Sequence, residues 1–521
     1  MSSGQDVGDV YAATMERIGA QEKDRARLGM EAIMWVAYSE RPLSPEELCE
    51  ALGVEMGSAG LENDNVPSIR TILNCGLGLV TVDSSSSKVR LVHFTLQEHI
   101  QANPTLFCSP HSMIAEVCLT YLNFGCIRDL SPALRPPPPT APFLEYASCY
   151  WGAHARRQTS TSVISLSLKL LDGFDAHISC ELLLRKEYLD SGLNSDQNSP
   201  IECTALQAAA FLDVLEIMVS LLKINKWDVN ATGSFGITAL MLATKMGHGA
   251  IVKVLLEQEG VDPNIVDDLG RTALSWAAEQ WDRGIVQMLL EQGDVNPDNA
   301  DKSGRTPLSW AFEGNTWWRA SEEPCSEVVK MLLERNDVNP DSADKRGRTP
   351  LSRAARNGYE NIVRMLLERT DVSPDITDED GRTPLSWAAG PGIWLQDTNK
   401  GSHSVVKILL ERNDVNPDSI DKSGRTPLSW AAWNGYGGVV QMLLERNDVN
   451  PDTTDGDGRT PLSWAAGPEL EGPFPDCWEL YKEAVKILLE RKNVNPDGAD
   501  KSGRTPLSWA AVFPSVQSVR L

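Results

Sequence analysis

The chain has no excess of positive charge: 48 lysines and arginines face 72 aspartates and glutamates, for a formal charge of −24. Such a surface repels polyanions, so nucleic acid is not expected as a partner, nor attraction to an anionic membrane. Long apolar runs are missing too. No stretch of eighteen apolar residues occurs, and membrane insertion is therefore not expected. The opening MSSGQDVGDVYAATMERI carries acids where a secretory leader needs a basic and then an apolar stretch. Of the ten cysteines, eight stand at or before Cys203 without CxxC or zinc-finger spacing. They read as buried thiols of a reducing compartment, not as a disulfide framework or a metal centre. A cytoplasmic location is expected, with the nucleus compatible.

Signatures of chemistry are also absent. There is no GxSxG elbow, HExxH helix or GxGxxG turn, and without a single Gly-Lys dipeptide no GxxxxGK[ST] phosphate loop exists. The seven histidines are scattered along the chain without a cysteine or carboxylate constellation. Aspartates and glutamates recur at what read as solvated finger and helix-end positions. We therefore expect no catalytic residues, no cofactor and no metal.

What the chain does have is repetition. With 521 residues it is too long for one core, and DKSGRTPLSWAA stands both at 421–432 and at 500–511. Thr-x-Leu starts fall at Thr204, Thr238, Thr272, Thr306, Thr349, Thr383, Thr426, Thr460 and Thr505, in steps of 34, 34, 34, 43, 34, 43, 34 and 45. Each start is followed by a helical pattern. Thr426 can cap a helix whose first position is Pro427, where the missing N–H is harmless. Leu428, Ala431 and Ala432 then share one face. Asn434 and Gly435 turn the chain into a second helix, which carries Val439, Val440, Met442, Leu443 and Leu444. Asn447 is expected in the left-handed position that ends it, as are Gly293, Asn336 and Asn413; Thr370 and Lys492 break that rule, so those helix ends should fray.

Units of this size, reading TPLSWAA, a glycine turn and VVxxLL, resemble the ankyrin repeat over 198–521, with nine units of which the last is incomplete. The resemblance implies a mainly α solenoid that binds a protein partner on its concave face and fingers. Two features depart from the family pattern. Ser429 and its equivalents replace the histidine that tethers neighbouring loops, and the connector VNPDSID is longer than usual, which extends the finger. Tryptophan fills one slot in six units (Trp276, Trp310, Trp387, Trp430, Trp464 and Trp509), where it reads as packing between units. An arginine follows the finger glycine in seven: Arg271, Arg305, Arg348, Arg382, Arg425, Arg459 and Arg504. That row reads either as a ladder of ion pairs to Asp301, Asp344 and Asp421 in adjoining fingers or as a receptor for an acidic partner.

Positions that differ between units are better suited to choose a partner. One such position, at the end of the first helix, holds Lys245, Glu279, Glu313, Arg356, Gly390, Trp433 and Gly467. Inserts between the two helices of the long units add Trp317, Trp318, Trp394, Phe474 and Trp478 as candidate anchors. The Thr306–Thr383, Thr349–Thr426 and Thr383–Thr460 spacings are each 77, so a two-unit block was copied with its insert. After Ala511 the chain runs VFPSVQSVRL with no second helix, and a truncated product with a loose end is expected.

Before the repeats, 26–40 reads as an amphipathic helix, Ser44 and Pro45 start a second that ends near Gly53, and 66–75 makes a third. LVTV and KVRLVH, joined by DSSSS, form a hairpin. Three helices and a two-stranded wing spell a winged helix, yet the third helix carries a single basic residue, Arg70, too few to read DNA. RLVHFTLQEHI at 90–100, with CLTYLNF and PFLEYASCYWGAHAR, resembles the fungal NACHT and ankyrin proteins, STAND-class relatives of NOD-like receptors whose winged helix is named after GPI inositol-deacylase. In those relatives a histidine matching His93 approaches bound nucleotide, but here no phosphate loop precedes it. His93 is accordingly expected at a strand end, a vestigial sensor.

The expected layout is a residual helix of a NACHT-type module at 1–25, a winged helix at 26–105, a helical linker at 106–197 with a polyproline spacer ALRPPPPTAP, and ankyrin repeats at 198–521. We expect a non-catalytic adaptor. The competing expectation is a regulatory part of a nucleotide-dependent switch, lending His93 to a NACHT-containing partner chain. Charge reversal at Arg348, Arg382 and Arg425 should weaken partner capture more than unfolding explains, and unchanged capture would remove the finger face from consideration.

Overall fold

The computed structural model describes residues 7–132, 134, 138–190, 202–313, 323–390, 399–467 and 478–512. The chain is mainly helical and divides into two compact units, Met1–Ile265 and Val266–Leu521. The division falls inside the repeat array. Among the described residues no helix is long and apolar enough to cross a membrane.

In the first unit one early helix starts at a strong cap. Ser44 accepts from the Glu47 amide while the Glu47 carboxylate accepts from the Ser44 amide at 2.6 Å, a reciprocal cap on helix Pro45–Gly53. Glu47 is buried and is also held by Arg41 at 2.6 Å. The third helix is Ile69–Cys75, shorter than the expected 66–75: Val66 precedes a proline and stays extended, and Ser68 is the actual cap. Strands Val80–Asp83 and Lys88–Leu91 pair antiparallel with Val80 opposite Leu91. His93 is not at the strand end. It is the exposed N-cap of helix Phe94–Ala102, where its Nδ1 accepts from the Thr95 amide at 3.3 Å. Helix Val7–Gly19 packs on this domain through Met15 and Ile18, and Tyr11 hydrogen-bonds Thr95 at 2.7 Å.

Helices Pro110–Leu122, Leu144–Arg157, Thr161–Leu171 and Ile178–Asp190 follow. Trp35 meets Phe143 edge-on at 5.6 Å, and Glu50 accepts from the Tyr121 hydroxyl at 2.9 Å, which joins this layer to the winged helix. Its other side meets the first repeat, helices Ala205–Leu212 and Leu215–Ile224. A Cβ on Gly152 would stand 2.9 Å from Leu212 Cβ. The linker thus covers an apolar flank that a lone repeat would leave wet.

In the second unit seven starts build the stack. Every Thr from Thr272 to Thr460 accepts the amide three residues on, as Thr426 does from Ser429 at 3.2 Å, and Pro427 is the first helical residue. Leu428, Ala431, Ala432, Val439, Val440 and Leu443 are wholly buried. Ser429 is buried as well, its hydroxyl 3.2 Å from that of Thr426, so no side-chain tether reaches a neighbour from this position. The tether is made by backbone instead. Lys302, Lys345, Glu379, Lys422, Gly456 and Lys501 each donate their amide to a carbonyl of the preceding finger at 2.7–2.9 Å. The longer connector adds a second rail: the carboxylates of Asp298, Asp341, Asp375, Asp418 and Asp452 accept the amides of Asn339, Ser373, Asn416, Asn450 and Asn495 in the next unit.

The second-helix ends depart from expectation. Gly293, Asn336, Asn413 and Asn447 are not left-handed. Helices Glu360–Glu368 and Gly437–Glu445 stop at an extended arginine, Arg369 or Arg446, which donates to the end of the previous unit's helix: Arg369 to Leu333 O and Arg446 to Leu410 O, both at 3.0 Å. Arg412 caps Leu367 O in the same way at 3.1 Å. Thr370 therefore marks no weak end, because the cap comes from the next unit.

Finger glycines have both a left-handed backbone and a close neighbour. Gly424 has φ +80°, and a Cβ there would lie 2.7 Å from the Gly456 amide nitrogen, whereas Gly503, φ +76°, has nothing within 4 Å. Gly503→Ala should cost only the backbone strain, about 1 kcal/mol. Gly424→Ala should cost about 2–3 kcal/mol, since it also breaks a finger contact. Denaturant midpoints of the two variants measure the difference.

Candidate functional site

Each finger of the second unit is built around a buried aspartate: Asp267, Asp301, Asp344, Asp378, Asp421, Asp455 and Asp500. These residues are not solvated. Asp421 Oδ1 accepts the amides of Ser423 and Arg425 at 2.8 and 2.9 Å, closing the turn, and Oδ2 accepts the indole N–H of Trp430 at 3.0 Å. Trp387, Trp464 and Trp509 donate to Asp378, Asp455 and Asp500 in the same way, each at 2.9 Å. Tryptophan is favoured in that slot because it combines an apolar body with one N–H aimed at the finger.

The arginines run along the faces of those indoles. Arg382 lies over Trp387 and Trp430 at 4.8 and 4.2 Å, Arg425 over Trp430 and Trp464 at 4.9 and 4.2 Å, and Arg459 over Trp464 and Trp509 at 3.5 and 4.1 Å. Arg271 lies 3.5 Å above Trp276, and Arg504 lies 4.8 Å from Trp509. Two patterns that look separate in the sequence are one alternating column of cations and rings. The reading of an open guanidinium row fails at Arg271 and Arg459, which are buried. Ion pairs follow both geometries, Arg348 to Asp344 of its own finger at 2.9 Å and Arg382 to Asp421 of the next at 3.9 Å. Reversing charge at Arg382 or Arg425 would remove indole contacts, so such variants report on packing as well as capture.

The variable position completes the column. Glu279 pairs with Arg271 at 3.7 Å, Glu313 with Arg305 at 4.0 Å, Arg356 lies over Trp387 at 5.0 Å, and Trp433 meets Trp430 edge-on at 5.2 Å. Gly467 offers its carbonyl to Arg459 at 2.7 Å. Its Cβ would collide with Trp509, which explains the absence of a side chain. Trp317, Trp318, Trp394 and Phe474 lie outside the described residues, as does the side chain of Trp478.

Sequence reading missed Arg353, which occupies the tryptophan slot of the Thr349 unit. Buried, it donates to Asp344 Oδ2 at 2.7 Å in place of an indole and also pairs with Glu313. The Asp-to-Trp spacing of nine residues, kept as Asp344-to-Arg353, was the available signal.

One histidine expectation is corrected. Glu40, His111 and His154 converge, with their ligand-type atoms within 4.8 Å of one another. His111 and His154 face each other through Nδ1 at 2.8 Å, His154 Nε2 meets the Tyr146 hydroxyl at 2.9 Å, and Glu40 binds Arg157. Burial, with His111 and Arg157 nearby, pushes His154 down to about 3, so it is neutral at pH 7. These internal partners engage the ring nitrogens and the carboxylate, tying the winged helix to the linker.

Stacked helix pairs with backbone-linked fingers define a repeat-type scaffold. The family described as "Ankyrin repeats (3 copies)" matches residues 176–267, 251–319, 317–393 and 396–472, more than half of the chain. The chain belongs to the ankyrin-repeat family. Residues 15–107 match the "GPI inositol-deacylase, winged helix domain". No curated protein matches. Among solved structures, the ankyrin repeat domain of Bcl-3, titled a unique member of the IkappaB protein family, is similar at 23% identity, covering 45% of this chain and 94% of that one with a TM-score of 0.35.

Burial works to raise the Asp344 carboxyl, but hydrogen bonds from Arg348 and the charges of Arg353 and Arg348 outweigh it and hold the group below its ordinary value. A depressed carboxylate stabilises the fold above its unfolded value and loses that contribution as pH falls through the lower folded one. Asp344→Asn should therefore cost about 1–3 kcal/mol at pH 7. The deficit relative to wild type should shrink below about pH 4 in denaturant titrations at stepped pH.

Proposed function

We propose that this chain is a non-catalytic adaptor whose repeats capture a protein partner, while the winged helix and linker join that grip to a NACHT-type signalling switch. Ankyrin repeats imply a protein–protein interaction role, and the fold is typically non-catalytic. One observation carries the finer reading. The frame of every finger is alike and buried, yet the tips are exposed and not all alike: Lys302, Lys422 and Lys501 are each followed by a serine, whereas Lys345 with Arg346 and Glu379 with Asp380 stand at the same place in other fingers. Varied residues on a constant support are what discrimination between partners requires. The layout proposed is 1–25, 26–105, 106–197 and 198–521 as set out above.

A switch-regulating role in trans is the second reading, favoured by the winged-helix match over 15–107 and by the exposure of His93. Immobilised full chain, challenged with extract from its own cells, should retain a protein that Lys302→Glu with Lys422→Glu releases without loss of folding. If retention instead requires nucleotide and a NACHT-containing chain, and is lost in His93→Ala, the second reading holds and the first falls.

A further inference from the structure

The indole–guanidinium column has one gap. Arg382 and Arg459 each touch two indoles and Arg425 three, but among the described residues Arg305 touches only Trp310, and Arg348 touches none. Arg353 stands where the ring common to both would be, and the next ring, Trp387, lies under Arg356. Between two fingers, next to the two acids that Arg353 engages, is a hollow of about 400 Å³. Lys302, Arg305, Lys345, Arg346, Arg348 and Arg356 line it against just two carboxylates, Glu313 and Asp344. Both of those acids are already engaged by the buried Arg353, at 2.7 Å in the case of Asp344. On a chain of net charge −24, this concave spot is cationic.

We infer that this hollow is an oxyanion-binding site which receives an acidic segment of the protein partner, its clustered carboxylates or a phosphorylated side chain entering between the fingers. The inference rests on the adaptor reading and places its main recognition point. Arg305, Arg348 and Arg356 are partly withdrawn from water, with Arg348 on Asp344 at 2.9 Å and Arg305 near Glu313 at 4.0 Å; an entering oxyanion would share these planar guanidinium groups, which bind it with more strength and direction than a point charge gives. Lys302, Lys345 and Arg346 at the exposed rim draw the segment in. Six other units hold tryptophan in that slot; in the Thr349 unit Arg353 instead engages both acids of the hollow, so the cationic character of the site depends on one position that breaks the period.

The test uses the full chain and fluorescent peptides: a glutamate-rich peptide, the same peptide with one phosphoserine, and a glutamine-for-glutamate control, each followed by anisotropy. Saturable binding of an acidic peptide that weakens with salt is expected, with no binding of the control, and the phosphoserine arm tells which oxyanion is preferred. Lys345→Glu with Arg346→Glu should cost at least about tenfold in affinity. Arg353→Trp, which restores the column and lets the indole donate to Asp344, should cost about as much while leaving the unfolding midpoint no lower than wild type. Lys422→Glu with Lys501→Glu, equally exposed tips elsewhere, should stay within about twofold. Absence of saturable binding to either acidic peptide, retention of binding in Arg353→Trp, or an equal loss in the Lys422/Lys501 variant would each overturn the inference. If Arg353→Trp proves unstable, the Lys345/Arg346 pair, both exposed, decides alone. Should the peptides fail while the chain still captures its partner, the hollow is dismissed and the adaptor reading stands; failure of both removes both.

Discussion

A carboxylate taken out of water must find several donors or it will not stay charged, and in this protein that requirement shapes every finger of the second unit. Asp421 satisfies it with two backbone amides of its own turn and the indole N–H of Trp430. The turn closes, the tryptophan is aimed, and the arginine two residues ahead of the first helix is carried over the ring. Pairs of fingers then approach near enough for one amide-to-carbonyl bond each, which only glycine at the tip permits. In the fingers of Asp378, Asp421, Asp455 and Asp500 a single buried acid therefore sets turn, ring and spacing together.

The column of rings and guanidinium groups extends this logic along the stack. Arginine suits it because its planar cation lies flat on an indole face while its edge still serves a carboxylate. Arg271, Arg382, Arg425 and Arg459 are each shared by the ring of their own unit and the ring of the next, so the contact is a nearest-neighbour term of the kind that stabilises repeat arrays. In the Thr349 unit an arginine replaces the ring and keeps the bond to Asp344. Stability is served there by an ion pair instead of an indole, beside a hollow lined mainly by cations.

The N-terminal part is organised by different means. A reciprocal Ser44–Glu47 cap fixes one helix, while a Trp35–Phe143 edge contact and the His111–His154 pair beside Glu40, Arg157 and Tyr146 bind the winged helix to the linker. The linker in turn covers the flank of the first repeat at Leu212. His93, expected at a strand end as a vestigial sensor, is here a helix cap at the surface.

Local chemistry alone determined the helix starts, since a threonine before Pro427 or a serine before Pro45 needs nothing beyond its own neighbours to cap a helix. The period, the winged helix and the burial of Leu428 and Ala431 follow from the same short-range patterns. Tertiary structure decided what those patterns do not encode: that the finger aspartates are buried, that the arginines belong to the tryptophans, that helix ends are capped by the following unit, and that His111 and His154 meet across 43 residues. Each of these joins groups from separate units or distant segments. Such contacts exist only once the stack has formed, and residue type and spacing within one unit cannot reveal which neighbour will supply the donor.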